Sequence, residues 1–511
     1  MRTRNLAAWF LILAVALITI PYSHAIPPFS RQYGTSCATC HIDFPKLNDF
    51  GKAFKDAGFK FPKGDEDFIK IPPVMLGAPA QKEMFPKVIY PGTIPGIPQI
   101  GLRFNTFFQV YGRNRNTLVP PTADGGGGTF TPRTDFQPGL FSIFTAGNFG
   151  DGIAFWVDDD FSVGGANSNG GLGDGYLKFI NIGRLFKLPT DSLSLRVGQF
   201  EIDLPFSQAR SWNLSGWDIY DEANFGVVGG LNGDGVNNVG GVNNAFAFSA
   251  PAQGVEISGG HNYGGYHYSL AIINQSTNPN GPPGAGGNVS PIVGTFSDSN
   301  FKDLYGRFQY RFNLEKDATS RNDIQAAGAT GPRDHTYLQL GSYYFYGRSV
   351  QRIQGESGVL TAREPFYRVG GDFSFNYRTF NLFGLAMYGH DRDQELNGAG
   401  TGLMGGQSAH FNGGFLEADY LALPWLMTIM RYDRVQSTAD FQSTNPLNGN
   451  YFQPASATRN RVTPGVQFLI HANIKASFEY QIRPKQTGTD ESGTTQTLRT
   501  NQAIAGLEWV Y

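Results

Sequence analysis

Alternation of apolar and polar residues with a period of two, repeated through most of the chain, most constrains its fold. Residues 304–312 display the pattern, with two opposite faces formed by Leu304, Phe308, Tyr310 and Phe312 and by Arg307, Gln309 and Arg311. Segments 102–111, 367–378 and 474–483 repeat it. A soluble sandwich has a dry core between its sheets and does not suit so many charged inward positions. The wet lumen of a large β-barrel does.

The first 25 residues predict export. Arg2 and Arg4 precede a short apolar run, LAAWFLILAVALITI, and Ser23-His24-Ala25 ends in small residues, so residues 1–25 form a predicted signal peptide. Charged residues make up only 16% of the chain and aromatic residues 14%. The formal net charge of −2 leaves no basic surplus for nucleic acid, so no nucleic-acid partner is expected.

About sixteen strand-like segments follow residue 99, separated by Gly- and Asn-rich stretches that suit extracellular loops. The chain ends in AIAGLEWVY, an alternating segment that closes on an aromatic residue, as in bacterial outer-membrane proteins. The fold class predicted for residues 99–511 is therefore all-β, an antiparallel outer-membrane β-barrel of about 16 strands in contact with membrane lipid.

The motif Cys37-Ala38-Thr39-Cys40-His41 contains the only two cysteines of the chain. C-x-x-C-H is the attachment site of a c-type haem, in which both thiols add across the porphyrin vinyl groups and the histidine ligates iron. A thioredoxin-like motif would need a βαβ context, and zinc would need further ligands nearby. A disulfide across so short a loop would stabilise little. One covalently attached c-type haem is therefore the predicted cofactor, with His41 as its proximal ligand.

Residues 26–98 are predicted to form a small α-helical cytochrome c domain with a proline-rich connector. Helical spacing follows the motif, with Asp43 as a possible cap and Gly58 as the stop. A methionine as the distal ligand raises a haem potential. Met75, in a proline-stiffened loop, is favoured over Met84, and the third possibility is that neither methionine ligates the iron.

The N-terminal stretch resembles the fused monohaem cytochrome–porins, the outer-membrane iron oxidases of iron-oxidising bacteria. The matching residues are Arg31-Gln32, Cys37 to His41, Pro45, Leu47-Asn48, Phe50-Gly51, Phe54-Lys55 and Gly58-Phe59. The resemblance implies a conduit that takes electrons from extracellular Fe(II) through a single haem to a periplasmic c-type cytochrome. It also implies the outer membrane, with the haem domain at the periplasmic side or inside the barrel lumen.

Other functions remain open on the sequence alone. A porin with a haem-containing plug or redox sensor would use the same parts, as would a conduit for another extracellular donor or acceptor. Any enzymatic activity would be Fe(II) oxidation by electron transfer, with no catalytic residue beyond the haem. Oxygen-rich clusters at Asp158 to Asp160 and around His390, Asp391 and Asp393 are more typical of solvated turns than of iron sites, and His261 and His267 of barrel positions.

Overall fold

The computed structural model describes most of the chain from Pro28 to the C-terminus. The described residues are 28–62, 64–86, 88, 90–111, 133–150, 152–162, 171–207, 210–211, 213–223, 248, 251–274, 301–315, 335–355, 358–396, 403–437, 453–454, 456, 458–484, 486–489, 495–498 and 501–511. The predicted signal peptide lies outside these residues.

Sixteen strands form one closed barrel, which confirms the predicted fold class and strand number. Their pairings are antiparallel throughout, and the last strand closes the barrel by pairing with the first, for example Leu507 with Thr106. In chain order the barrel strands are β1 (Ile100–Tyr111), β2 (Arg133–Asn148), β3 (Ile153–Ser162), β4 (Gly171–Phe179), β5 (Ser194–Phe200), β6 (Ala252–Gly260), β7 (Gly265–Ile273), β8 (Asp303–Asn313), β9 (Tyr337–Gly355), β10 (Gly358–Tyr377), β11 (Phe380–Leu396), β12 (Leu403–Leu423), β13 (Leu426–Ser437), β14 (Thr458–His471), β15 (Ile474–Gln481) and β16 (Gln502–Val510).

The two faces of the strands fall where the alternation predicts. In β8 the outward Leu304, Phe308 and Phe312 are 45–51% exposed, whereas the inward Arg307 and Arg311 are 5% and 2% exposed. An apolar exterior over a polar interior is the pattern of a transmembrane barrel. The inward position expected for Arg378 is wrong, because this residue lies in the tight turn after β10 with a φ of 55° and is exposed.

Short turns lie at the end of the barrel where the first strand begins and the last strand ends. The connections 261–264, 378–379, 424–425 and 472–473 are at this end, together with two longer ones, 180–193 and 314–336. The opposite end carries the long connections that include 112–132, 274–302 and 438–457. Among the described residues no helix has both the length and the hydropathy that a membrane-spanning helix requires.

The N-terminal segment before β1 combines short helices with short strand pairs. The helices are α1 (Pro28–Tyr33), α2 (Asp49–Asp56), α3 (Asp65–Phe68) and α4 (Pro79–Met84), with a 3-10 turn at Cys37–Thr39. Strand His41–Asp43 pairs with Lys46–Leu47, and Val74–Met75 pairs with Thr93–Ile94. This pairing uses Asp43, so the prediction that it caps α2 is wrong. Asn48 is the cap, and its side chain accepts a hydrogen bond from the Gly51 amide at 2.9 Å.

Residues 28–62, here called the plug, lie inside the barrel lumen. Arg311 of β8 donates two hydrogen bonds of 2.7 Å to the Asp49 carboxylate. Lys475 of β15 donates to the Phe44 carbonyl oxygen at 2.8 Å, and Lys46 lies 3.3 Å from Asp419 of β12. These charged inward positions therefore have partners in the plug, which is held to several strands around the wall.

A second segment, residues 201–223, also folds into the lumen and is here called the inner loop. It ends in helix α5 (Asp218–Ala223). The Trp217 indole donates to Glu417 of β12 at 2.9 Å, and Arg483 makes two hydrogen bonds with Asp218 at 2.8 and 3.0 Å. Trp217 also stacks on Phe415, with ring centroids 4.6 Å apart. The inner loop and the plug together occupy much of the lumen.

Candidate functional site

The cysteine motif forms a tight turn that presents both thiols on the same side. The Cys40 amide donates to the Cys37 carbonyl oxygen at 3.1 Å, which closes the 3-10 turn. Both cysteines are free thiols and both are partly exposed. Together with His41 they line one cavity, so the structure brings these three predicted site residues together.

Asn48 fixes the turn to helix α2. Its side-chain amide donates to the carbonyl oxygens of Ala38 and Thr39 at 3.2 and 3.1 Å, while its Oδ1 caps the helix. Asn48 is only 2% exposed. This role of Asn48 was not predicted from the sequence, although an Asn directly before a helical apolar pattern is a recognisable N-cap signal.

Gly51 allows α2 to approach the motif closely. A Cβ atom at this position would lie 2.1 Å from the Cys40 carbonyl oxygen and 3.0 Å from Leu47 Cδ2. Because the first of these atoms belongs to the backbone, no side-chain rotation could relieve the clash. A residue without a side chain is therefore needed where the helix touches the turn of the cysteine motif.

The cavity has a volume of about 510 Å³ and lies between the plug and the barrel wall. That volume is in the range of pockets that hold cofactors and drug-sized ligands. Aromatic rings dominate its apolar lining, from the plug and from β2 and β3: Phe29, Tyr33, Phe44, Phe54, Phe59, Phe61, Phe144 and Trp156. Planar apolar walls of this kind suit a porphyrin.

The protonation states of the motif fit haem attachment better than a zinc thiolate site. Burial and, to a smaller extent, the neighbouring Cys37 raise the pKa of Cys40 to about 12, so the thiol is neutral at pH 7. Burial lowers the pKa of His41 to about 4, so its imidazole is neutral and carries a free lone pair. The His41 Nδ1 atom is buried and has no hydrogen-bond partner in the described structure.

One part of the cavity wall is charged. Arg103 of β1 pairs with Glu508 at 2.5 Å, and Arg210 of the inner loop pairs with Asp174 at 3.1 Å. A guanidinium is the side chain best shaped to bind a carboxylate. Arg103 and Arg210 therefore suit the two propionates that a haem carries at one edge, and the donor set of the cavity fits a c-type haem.

The structure does not bring either candidate methionine to this cavity. Met75 lies in the short strand that pairs with Thr93 and is 41% exposed. Met84 ends helix α4 and is 71% exposed. Neither residue is part of the lining that contains the two thiols and His41.

Of the other oxygen- and nitrogen-rich positions, Asp158, His261 and His267 have protein partners, whereas Asp159 Oδ1 is buried without a hydrogen-bond partner in the described structure. Asp158 accepts a hydrogen bond from the Trp156 indole at 3.1 Å and lines the same cavity. His267 lies 3.1 Å from Asp203, and His261 lies 3.7 Å from Asp191. The side chains of Asp160, Asp391 and Asp393 lie outside the described structure. In the part that is described, no group of three or more His, Cys, Asp and Glu side chains is arranged to hold a metal ion.

No family model and no curated protein matches the sequence. Solved structures with a similar fold include the outer-membrane channel DcaP of Acinetobacter baumannii, with 12% identity, a TM-score of 0.42, and coverage of 81% of this chain and 97% of that one. OprB of Pseudomonas putida has 11% identity, a TM-score of 0.43, and coverage of 81% and 94%. OmpF of Salmonella typhi has 11% identity, a TM-score of 0.41, and coverage of 81% and 98%. At these values the likeness carries no inference about function.

Proposed function

We propose that this chain is an outer-membrane electron conduit that accepts electrons from extracellular Fe(II) at a single c-type haem and passes them to a periplasmic electron carrier. The observation that carries the proposal is the cavity that collects Cys37, Cys40 and His41 inside the barrel. A haem bound there would supply a one-electron carrier within the wall of a membrane channel.

The residues of the cavity have separate tasks in this proposal. Cys37 and Cys40 each add a thiol S–H across one vinyl double bond, which forms two thioethers and needs no oxidant. The neutral imidazole of His41 provides the proximal lone pair, and Asn48 keeps the turn in place. The aromatic lining excludes water, while Arg103 and Arg210 offer partners for the propionates.

The apolar exterior of the strands supports a location in the outer membrane. Bacterial barrels of this type have their short turns on the periplasmic side. In the proposed orientation the haem cavity, which includes Ala472 and Asn473 of a short turn in its lining, lies toward the periplasm. A periplasmic c-type cytochrome would then take the electron from that side.

The test is anaerobic stopped-flow spectroscopy of the oxidised full chain, purified in detergent from a host that attaches c-type haems. Mixing with Fe(II) should produce the reduced α-band rapidly, and a Cys37→Ala, Cys40→Ala double variant should give no covalently bound haem. A haem that dithionite reduces but Fe(II) does not reduce would refute Fe(II) as the donor.

A second candidate is a channel that the plug closes, with the haem as a redox sensor. The charged lumen wall favours it, because inward side chains such as Arg307, Arg368 and Glu417 resemble those of a water-filled pore. This candidate predicts conductance in planar bilayers that changes when the haem is reduced. A conductance that is low in both redox states, together with fast reduction by Fe(II), would favour the conduit.

A further inference from the structure

Lys55 is a lysine of the plug that lines the same cavity as the cysteine motif. It belongs to helix α2 and is largely buried. In the described part of the chain its ammonium nitrogen makes no hydrogen bond and no ion pair. A cation enclosed in this way is costly unless it loses its proton or gains a ligand.

The position of Lys55 on α2 directs it toward the motif. Gly51, Phe54 and Lys55 are spaced three and four residues apart, lie on one face of the helix and all line the cavity. Gly51 is the point at which this face touches the Cys40 backbone. Lys55 therefore lies one helical turn from the haem-binding turn, and its four-carbon stem gives the amine reach.

The cavity offers few other atoms to complete the coordination of a haem iron. Among the described residues, its lining includes no methionine and no histidine other than His41. Tyr33 donates to Asp65 at 2.7 Å, and burial raises its pKa far above the usual range, so it stays a protonated phenol. The acidic residues of the lining are engaged, since Arg210 lies 3.1 Å from Asp174 and 3.6 Å from Glu201.

The electrostatic surroundings favour a neutral amine. Burial, together with the nearby charges of Arg210, Arg196 and Lys178, lowers the pKa of Lys55 to about 7. A neutral amine carries the lone pair that iron requires. Arg103 and Arg210, by contrast, keep their positive charges and suit the propionates.

We infer that Lys55 supplies the distal axial ligand of the haem iron, opposite His41, in place of Met75 or Met84. The inference rests on the proposed haem function and adds a ligand to it. It assigns the chain a histidine–amine haem, which has lower potential than the histidine–methionine haem expected from the sequence.

The test uses electron paramagnetic resonance and near-infrared magnetic circular dichroism of the oxidised full chain. The wild type should be low-spin with two nitrogen ligands. Lys55→Arg keeps the positive charge but has no available lone pair, so the low-spin signal should be lost. Lys55→Met should recover a low-spin haem with a sulfur-to-iron charge-transfer band and a higher potential. Lys52→Ala, on the same helix, is the matched control and should keep the wild-type spectrum.

The outcomes separate this inference from the proposed function. Absence of covalent haem from the wild type, measured as the pyridine haemochrome, would overturn both. A haem-containing wild type that is high-spin would overturn only the ligand assignment. A Lys55→Arg variant that stays low-spin with unchanged ligands would also overturn only the ligand assignment. In that case Lys55 would act only through its positive charge.

Discussion

The ion pair between Asp49 and Arg311 should be the strongest single attachment of the plug to the barrel wall. Both guanidinium nitrogens lie 2.7 Å from carboxylate oxygens, and the Arg311 side chain is 1% exposed. The Arg311 guanidinium also lies 3.5 Å from the centre of the Tyr337 ring. Removing one partner of a buried pair costs about 3–5 kcal/mol, because the other charge is left without compensation.

The two single substitutions should not cost the same. Asp49→Ala removes both carboxylate hydrogen bonds from the buried Arg311, while its contacts with Asn313 and Tyr337 remain, so the cost of about 3–5 kcal/mol for breaking a buried pair applies. Arg311→Met fills much of the volume, and Asp49 keeps Lys52 at 3.2 Å. Its cost should be about 1.5 kcal/mol, the low end of the value of a hydrogen bond to a charged group.

Hydrogen–deuterium exchange of helix α2 measures this difference directly, since its amides exchange when the plug leaves the wall. Protection should fall at least about a hundredfold in Asp49→Ala and about tenfold in Arg311→Met, at 1.4 kcal/mol per factor of ten. Glu66→Gln, an exposed acid in α3, is the control and should change protection by less than about threefold. An equal or larger loss in Arg311→Met would refute the reasoning.

Three further results are expected. Burial would raise the pKa of Asp49, but Lys52 and Arg311 hold it well below the usual range. The exchange difference between wild type and Asp49→Asn should therefore stay constant from pH 7 to about pH 4 and shrink below it, because the carboxylate of the detached plug, with an ordinary pKa near 3.9, takes up a proton before the carboxylate of the folded state does. Gly51→Ala should cost about 1–3 kcal/mol and reduce covalent haem per chain, measured by pyridine haemochrome, because its Cβ meets Cys40. Phe54→Ala, in the aromatic core of the plug, should cost about 3–5 kcal/mol, read from thermal loss of the haem circular dichroism.

The barrel could be predicted because the sequence pattern that specifies it lies within each strand. Alternation within each strand marks the face that meets lipid, and strands β8, β10 and β15 carry it almost without interruption. The Cys37–His41 motif is equally local, because two thiols and an imidazole within five residues carry the expectation of a haem, which stays a prediction. Neither prediction requires knowledge of which residues, distant in sequence, contact each other in the fold.

What the sequence did not predict depends on contacts between distant residues. Asp43 and Asn48 both look like helix caps, and only the pairing of 41–43 with 46–47 decides between them. Lys55 looks like an exposed helix residue until the barrel places Arg196 and Arg210 near it. The inner loop has no alternation, and its Trp217 reaches Glu417 across 200 positions.

The position of the cavity sets how an outside donor must reach it. Strand β12 has 21 residues and would be about 70 Å long at about 3.4 Å per residue, whereas the apolar band of a barrel is about 25 Å tall. The barrel end with the long connections therefore extends well beyond the lipid. The cavity lining runs from the short turn at Ala472 and Asn473 to Glu201 and Pro251, which flank the far ends of β5 and β6. Electron tunnelling falls steeply with distance, so under the proposed function a donor that stayed at the outer rim would reduce a bound haem slowly. The inner loop lies in the lumen on that route, and its hydrogen bonds to Glu417, Glu479 and Asp433 would then limit how far Fe(II) descends toward the cavity.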